Sequence, residues 1–195
     1  MARISKVKLE DIRGLEPYKP HFVKMFGFVP NAFLTIAQVP ELAIALSGLI
    51  KEVQSADREV SVQLRTMITE IASATVGCMY CTAHGMHLSI NAGIPEEKVA
   101  QIMNFESSPL FSPAEKAALS YAVAGASSPN AVTDDHIREL KKYYTERQIV
   151  EITAQVALMG FFNRFNDSLA VDVEDAPKGL FEKFGGFTGQ FKQAS

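Results

Sequence analysis

The sequence predicts an all-α fold, and three observations carry that prediction. Apolar residues recur at helical spacing. Helix-start signals punctuate the chain. No Asn-Gly or Asp-Gly turn joins alternating runs of the kind that build hairpins. The elements follow in order. Pro40 occupies a first helical position ahead of an apolar run to Ile50. Asp57 precedes a long periodic stretch with Val60, Leu64, Met67, Ile68 and Ile71 on one face. Ser112-Pro113-Ala114-Glu115 reads as a capping box with proline in the first turn. Thr133 followed by Asp134 and Asp135 is a further helix start, favoured by the helix dipole. Thr145 and Gln148 open a third, apolar at Ile149, Ile152, Val156, Met159 and Phe162 and running to about Leu169. The expectation is about eight helices joined by short loops in one domain over residues 1–175. From 176 to 195 the chain carries Gly185, Gly186 and a polar end, which predicts a tail packed on a partner or disordered. Ile68-Thr69-Glu70-Ile71-Ala72 before Gly77 echoes Ile149-Val150-Glu151-Ile152-Thr153 before Gly160, as a duplicated helix pair or two chance amphipathic helices would.

The chain has 195 residues, enough to bury a core without a disulfide or metal staple. With 47% hydrophobic and 21% charged residues it is not a disordered chain. A net charge of −3 argues against non-specific nucleic-acid binding, which depends on neutralising phosphates. The basic N-terminus is followed by no apolar run and no stretch is long enough to span a membrane, so a cytoplasmic protein is expected. Neither a G-x-G-x-x-G nor a G-x-x-x-x-G-K-[ST] motif occurs, and no organic cofactor is expected.

The two cysteines, Cys78 and Cys81, form a C-x-x-C pair. On one straight helix over 57–92, Glu70 and Cys81 would lie ~16 Å apart along the axis and share no proton. A break at Gly77 lets one helix end near Val76 and a second start near Cys78, folding Glu70 back toward the cysteines. A cysteine in a first helical turn is stabilised as thiolate by free N–H groups and the dipole. His84 follows Cys81 by three residues, on the same face, placed to pass a proton. Three readings stay open: a redox dithiol, a zinc site of Cys78, Cys81, His84 and His87, or two small buried residues. The zinc ligands would span ~13 Å of one helix, so such a site needs other chains and no metal is expected within this one.

Gly77-Cys78-Met79-Tyr80-Cys81-Thr82-Ala83-His84 resembles the core motif of the carboxymuconolactone decarboxylase-like superfamily, in its AhpD-like alkyl hydroperoxidase branch. The likeness extends to Gly27-Phe28-Val29-Pro30-Asn31, to the helix start at Ser112 and to Phe161-Phe162-Asn163-Arg164, spanning residues 22–175. It implies an AhpD-like helical fold assembled into homo-oligomers, trimers or hexamers. It also implies a peroxidatic Cys81, a resolving Cys78, and a histidine mapping to His84. Relatives place that histidine four residues after the second cysteine, where this chain has Gly85, and place the relay glutamate upstream of Glu70. Tyr80 stands where some carry a histidine.

The expected activity is therefore reduction of alkyl hydroperoxide or hydrogen peroxide by Cys81 and Cys78, with His84 and Glu70 as proton relay and an external dithiol as reductant. Phe26, Phe28, Phe33 and Phe162 are candidate pocket aromatics, against a reading as ordinary core. The alternatives are a thiol–disulfide exchange protein, a lyase of the carboxymuconolactone decarboxylase type, or a non-catalytic oligomeric interaction protein.

Overall fold

In a computed structural model the chain is described over residues 2–11, 14 and 16–186. Among them the secondary structure is helical: α1 (Lys19–Phe26), α2 (Asn31–Ile36), α3 (Pro40–Val53), α4 (Val62–Thr75), α5 (Met79–Asn91), α6 (Glu96–Ala100), α7 (Pro113–Ala126), α8 (Asp134–Leu140), α9 (Glu146–Leu169) and α10 (Asp175–Lys183). α4 is the central element, packed against α5, α7 and α9. Its side chains from Leu64 to Ala74 are all buried, as expected of a helix enclosed by neighbours rather than lying on a surface.

The Ser112–Glu115 box opens α7, Thr133 paired with His136 opens α8, and the Thr145–Gln148 box opens α9. Pro40 opens α3 without a side-chain cap. The start at Asp57 moves. α4 begins at Val62 because Ser61 accepts the N–H of Leu64, while the N–H of Val60 is taken by the Glu151 carboxylate. The expected tail is corrected in its first part. Residues 175–183 form α10, whose Pro177 and Phe181 are buried and which packs on α5 of the same chain. The remainder of that tail, 187–195, lies outside the described residues.

The turn between α4 and α5 is the part of the fold that makes the site. Gly77 sits at φ 77°, a left-handed conformation that only glycine adopts without strain. Gly77 donates to the Ala74 carbonyl and Cys78 to the Ser73 carbonyl, closing α4 in a Schellman turn. The residue completing that closure is also the N-cap of α5: Cys78 Sγ accepts the N–H of Cys81 at 3.3 Å. The helix break thus sets both cysteines in the first turn of α5.

Candidate functional site

Cys81 lies 2% exposed on the wall of a cavity of about 80 Å³ between α1, α2, α3, α5 and α9. The cavity is lined mainly by apolar side chains, among them Phe22, Phe26, Phe33, Leu158, Met159 and Phe162. Of the four aromatics expected there, Phe26, Phe33 and Phe162 line it, and Phe28 stands edge-on to the His84 ring at 6.1 Å. Its polar lining comprises Cys81, His84, Tyr80 and Asn166 together with a hydrogen-bonded run of Gln54, Gln155 and Thr69.

The sulfur environments of the two cysteines differ. Asn166 on α9 donates from Nδ2 to Cys81 Sγ at 3.2 Å. Such a donor favours the charged form of the sulfur. Cys78 is wholly buried, and its thiol hydrogen-bonds the Asp167 carboxylate. Its hydrogen bond with Cys81, then burial, pushes the Cys78 thiol far above its ordinary range. The pair therefore keeps its proton on Cys78 when one sulfur ionises.

His84 is held at both ring nitrogens. Nδ1 lies 2.8 Å from the Tyr80 carbonyl, so it carries the proton and donates. Nε2 lies 2.9 Å from Glu174 Oε2. Glu174 precedes α10 and is fixed by its other oxygen, which accepts from the Tyr80 hydroxyl at 3.2 Å and from the N–H of Asn31. The N-terminus of α2 has no side-chain cap from Pro30, so Glu174 and the Tyr80 hydroxyl satisfy the N–H groups of Asn31 and Ala32 instead. Burial works to raise the Glu174 carboxyl, but His84 and the Asn31 N–H outweigh it and hold it below the usual carboxylate range. The Tyr80 ring stacks on His84 at 4.1 Å, and burial beside Glu174 keeps its hydroxyl protonated.

Three expected residues thus meet at one site: Cys78, Cys81 and His84. Glu70 does not join them. α4 does fold back along α5, with the Glu70 backbone against Gly85, but the Glu70 carboxyl is fully buried, accepts from the Ser89 hydroxyl at 3.4 Å and does not line the cavity. Residues 85 and 89 lie on the stripe of α5 that faces α4, whereas 81, 84 and 88 lie on the stripe that faces the cavity. This also accounts for the three-residue interval to His84. A side chain at Gly85 would point into the α4 backbone. His87 packs outward, its Nε2 on the Phe26 carbonyl at 2.9 Å, and no metal-holding group of three or more His, Cys, Asp or Glu occurs among the described residues.

Glu174, Asn166 and the structural role of Tyr80 were missed from sequence. Asn166 carried a signal, since it follows the pocket residue Phe162 by one helical turn. Glu174 carried none, since nothing local connects it to His84.

Residues 40–124 match the carboxymuconolactone decarboxylase family. Among solved structures, the debrominase Bmp8, in complex with 2,3,4-tribromopyrrole, superposes with a TM-score of 0.88 at 32% identity, covering 93% of this chain and 96% of that one. A peroxidase-related protein with an AhpD core from Ralstonia eutropha JMP134 superposes with a TM-score of 0.79 at 24% identity, covering 90% and 94%, and shares the fold. YnjA of Escherichia coli (strain K12) is 25% identical over 112 residues, which are 57% of this chain and 61% of that one, so the match spans less than two thirds of that relative. The chain belongs to the carboxymuconolactone decarboxylase superfamily and has its AhpD-like helical fold.

Proposed function

We propose that the protein is a two-cysteine reductase of small apolar electrophiles, with hydroperoxides as its first substrate class. The observation that supports this most is the asymmetry of the dithiol. Cys81 faces the cavity with a hydrogen-bond donor on its sulfur, while Cys78 stays protonated behind it. In the proposed reaction the Cys81 thiolate attacks the terminal oxygen of a hydroperoxide and the O–O bond breaks. The proton held between His84 and Glu174 passes to the departing alkoxide, giving an alcohol and a sulfenic acid on Cys81. Cys78 then attacks that sulfur, its proton leaves with the hydroxyl as water, and a disulfide forms. An external dithiol returns the pair to the reduced state by exchange.

A second reading is reductive dehalogenation, favoured by the 32% identity to the debrominase Bmp8, which was solved as a cysteine-to-alanine variant with a bromopyrrole. There the Cys81 sulfur takes the halogen from the ring, His84 protonates the ring carbon, and Cys78 displaces halide to form the same disulfide. We also place this chain in a homo-oligomer, with Val150 and Phe161, 67% and 39% exposed on α9, as apolar contacts.

The test is stopped-flow oxidation of pre-reduced protein by cumene hydroperoxide with thiols counted. Loss of both thiols, with sulfenic acid trapped in Cys78→Ser and absent from Cys81→Ser, is expected. Oxidation no faster than that of a free thiol, with a brominated pyrrole releasing bromide instead, would replace the first reading by the second.

A further inference from the structure

A second, open cavity of about 670 Å³ lies between α1, the end of α3 and the start of α4. Its charged lining is lopsided. Lys24, Lys51, Arg58 and Arg65 face it, with His21 beside them, against one carboxylate, Glu52, which is already paired with Arg58 at 3.1 Å. This concentration stands in a chain whose net charge is −3. Two of the groups carry unmet hydrogen-bonding capacity. Arg65 is 3% exposed; its Nη1 donates to the Val53 carbonyl, and its Nε has no partner. The buried Nε2 of His21 has none either. A buried, unpartnered guanidinium N–H is costly unless something accepts from it. Glu151 acts on Arg65 electrostatically from α9, but its oxygens face Val60 and Arg147. Lys24 and Lys51 form no ion pair among the described residues, and burial first, then these two ammonium groups, push the His21 imidazole below its ordinary range.

The position of this cavity gives the cluster its meaning. Met25, Gln54 and Leu88 line both this cavity and the one that holds Cys81. We infer that the cationic cavity is a binding site for the carboxylate or other anionic group of a small molecule whose apolar body occupies the dithiol cavity. The substrate is thus an amphiphile, with an apolar reactive portion and an acidic group on the far side of the shared Met25, Gln54 and Leu88 wall. Arg65 supplies the fixed N–H donor, and Lys24 and Lys51 supply mobile charge at the mouth. The inference rests on the reading of the Cys81 cavity as the reacting one.

The test uses the full-length reduced protein and two unreactive probes of one shape, para-isopropylbenzoate and neutral para-isopropylbenzamide. Calorimetric titration at low salt is expected to give about tenfold tighter binding of the benzoate, one charge interaction's worth. That preference is expected to shrink in Lys24→Ala/Lys51→Ala, whose substituted side chains are exposed and leave the core intact, and to shrink as salt rises. Bound benzoate is also expected to slow alkylation of Cys81 by iodoacetamide. Equal binding of the two probes, binding of neither, or a preference that survives the double substitution would overturn the inference. So would benzoate bound without protection of Cys81. Failure of the reductase reading would show elsewhere, as thiols that hydroperoxide and bromopyrrole leave reduced, and would not alter the titration.

Discussion

His84 Nε2 and Glu174 Oε2 lie 2.9 Å apart, with the opposite nitrogen of the ring already donating to the Tyr80 carbonyl. In the proposed reaction this imidazole–carboxylate pair, at the wall of the Cys81 cavity, passes the proton that goes to the leaving alkoxide.

Glu174→Gln removes the ability to exchange that proton while keeping a polar group of the same shape. Reduction of hydroperoxide is expected to slow by about 10²-fold, the lower end of what general acid catalysis contributes. Glu174 also contributes to folding. Its carboxyl sits below the usual range, so its stabilisation is complete above about 4.5 and fades as pH falls through the folded value. Thermal midpoints from pH 3 to 7 should therefore steepen in acid for the wild type more than for Glu174→Gln. Parallel curves would remove Glu174 from the acid-sensitive set.

Asn166→Leu deletes the amide donor that Asn166 presents to the Cys81 sulfur. A hydrogen bond to a charged acceptor contributes about 1.5–3 kcal/mol, so oxidation at neutral pH is expected to slow by roughly tenfold or more. Rates of Cys81 alkylation at neutral pH measure this without any substrate, and an unchanged rate would assign Asn166 to shaping the cavity alone.

Glu70 is a buried acid in the wrong place for the chemistry, which makes it a stability determinant. Burial, only partly offset by the Ser89 hydroxyl, raises its carboxyl well above the 4.5 of a free glutamate. The unfolded chain releases that proton above 4.5 and the folded chain does not, so stability declines with rising pH by up to about 1.4 kcal/mol per unit from this group. Glu70→Gln mimics the neutral form. It is expected to flatten the decline and to be more stable than wild type at pH 8, with hydroperoxide reduction retained. Denaturant midpoints at pH 5 and 8 decide it; loss of reduction in a folded variant would restore Glu70 to the relay.

Gly85→Ala tests the α4–α5 contact. A Cβ there would stand 2.6 Å from Glu70 Cα and 2.8 Å from its backbone nitrogen, neither of which can rotate away. Alanine gains about 0.5–1 kcal/mol over glycine as a helix former, but overpacking costs about 1–3 kcal/mol, so net destabilisation is expected. The thermal midpoint should fall by about 2–4 °C per kcal/mol in a chain of this size. An unchanged midpoint would mean that the two helices separate freely.

How much was legible in the sequence followed from how local each signal was. The Gly77 break, the first-turn cysteines and the three capping starts are written in contiguous residues, and the structure shows them. His84 faces the cavity with Cys81 because a three-residue interval fixes the face. Asp57 misled because the true cap, Ser61, competes with it only once Glu151 has claimed the Val60 N–H. Glu70 misled for a related reason. Folding α4 back was correct, but the rotation of α4 about its axis is set by the fit of Glu70 against Gly85, a packing fact with no sequence period. Glu174 was out of reach because its partners, Tyr80, His84 and Asn31, come from two distant segments.

That distance has an effect on the life of the molecule as it is made. The chain leaves the ribosome N-terminus first, and both cysteines emerge long before Glu174 and the α10 helix that follows it. A nascent chain therefore carries both thiols before the carboxylate that faces His84 has been synthesised.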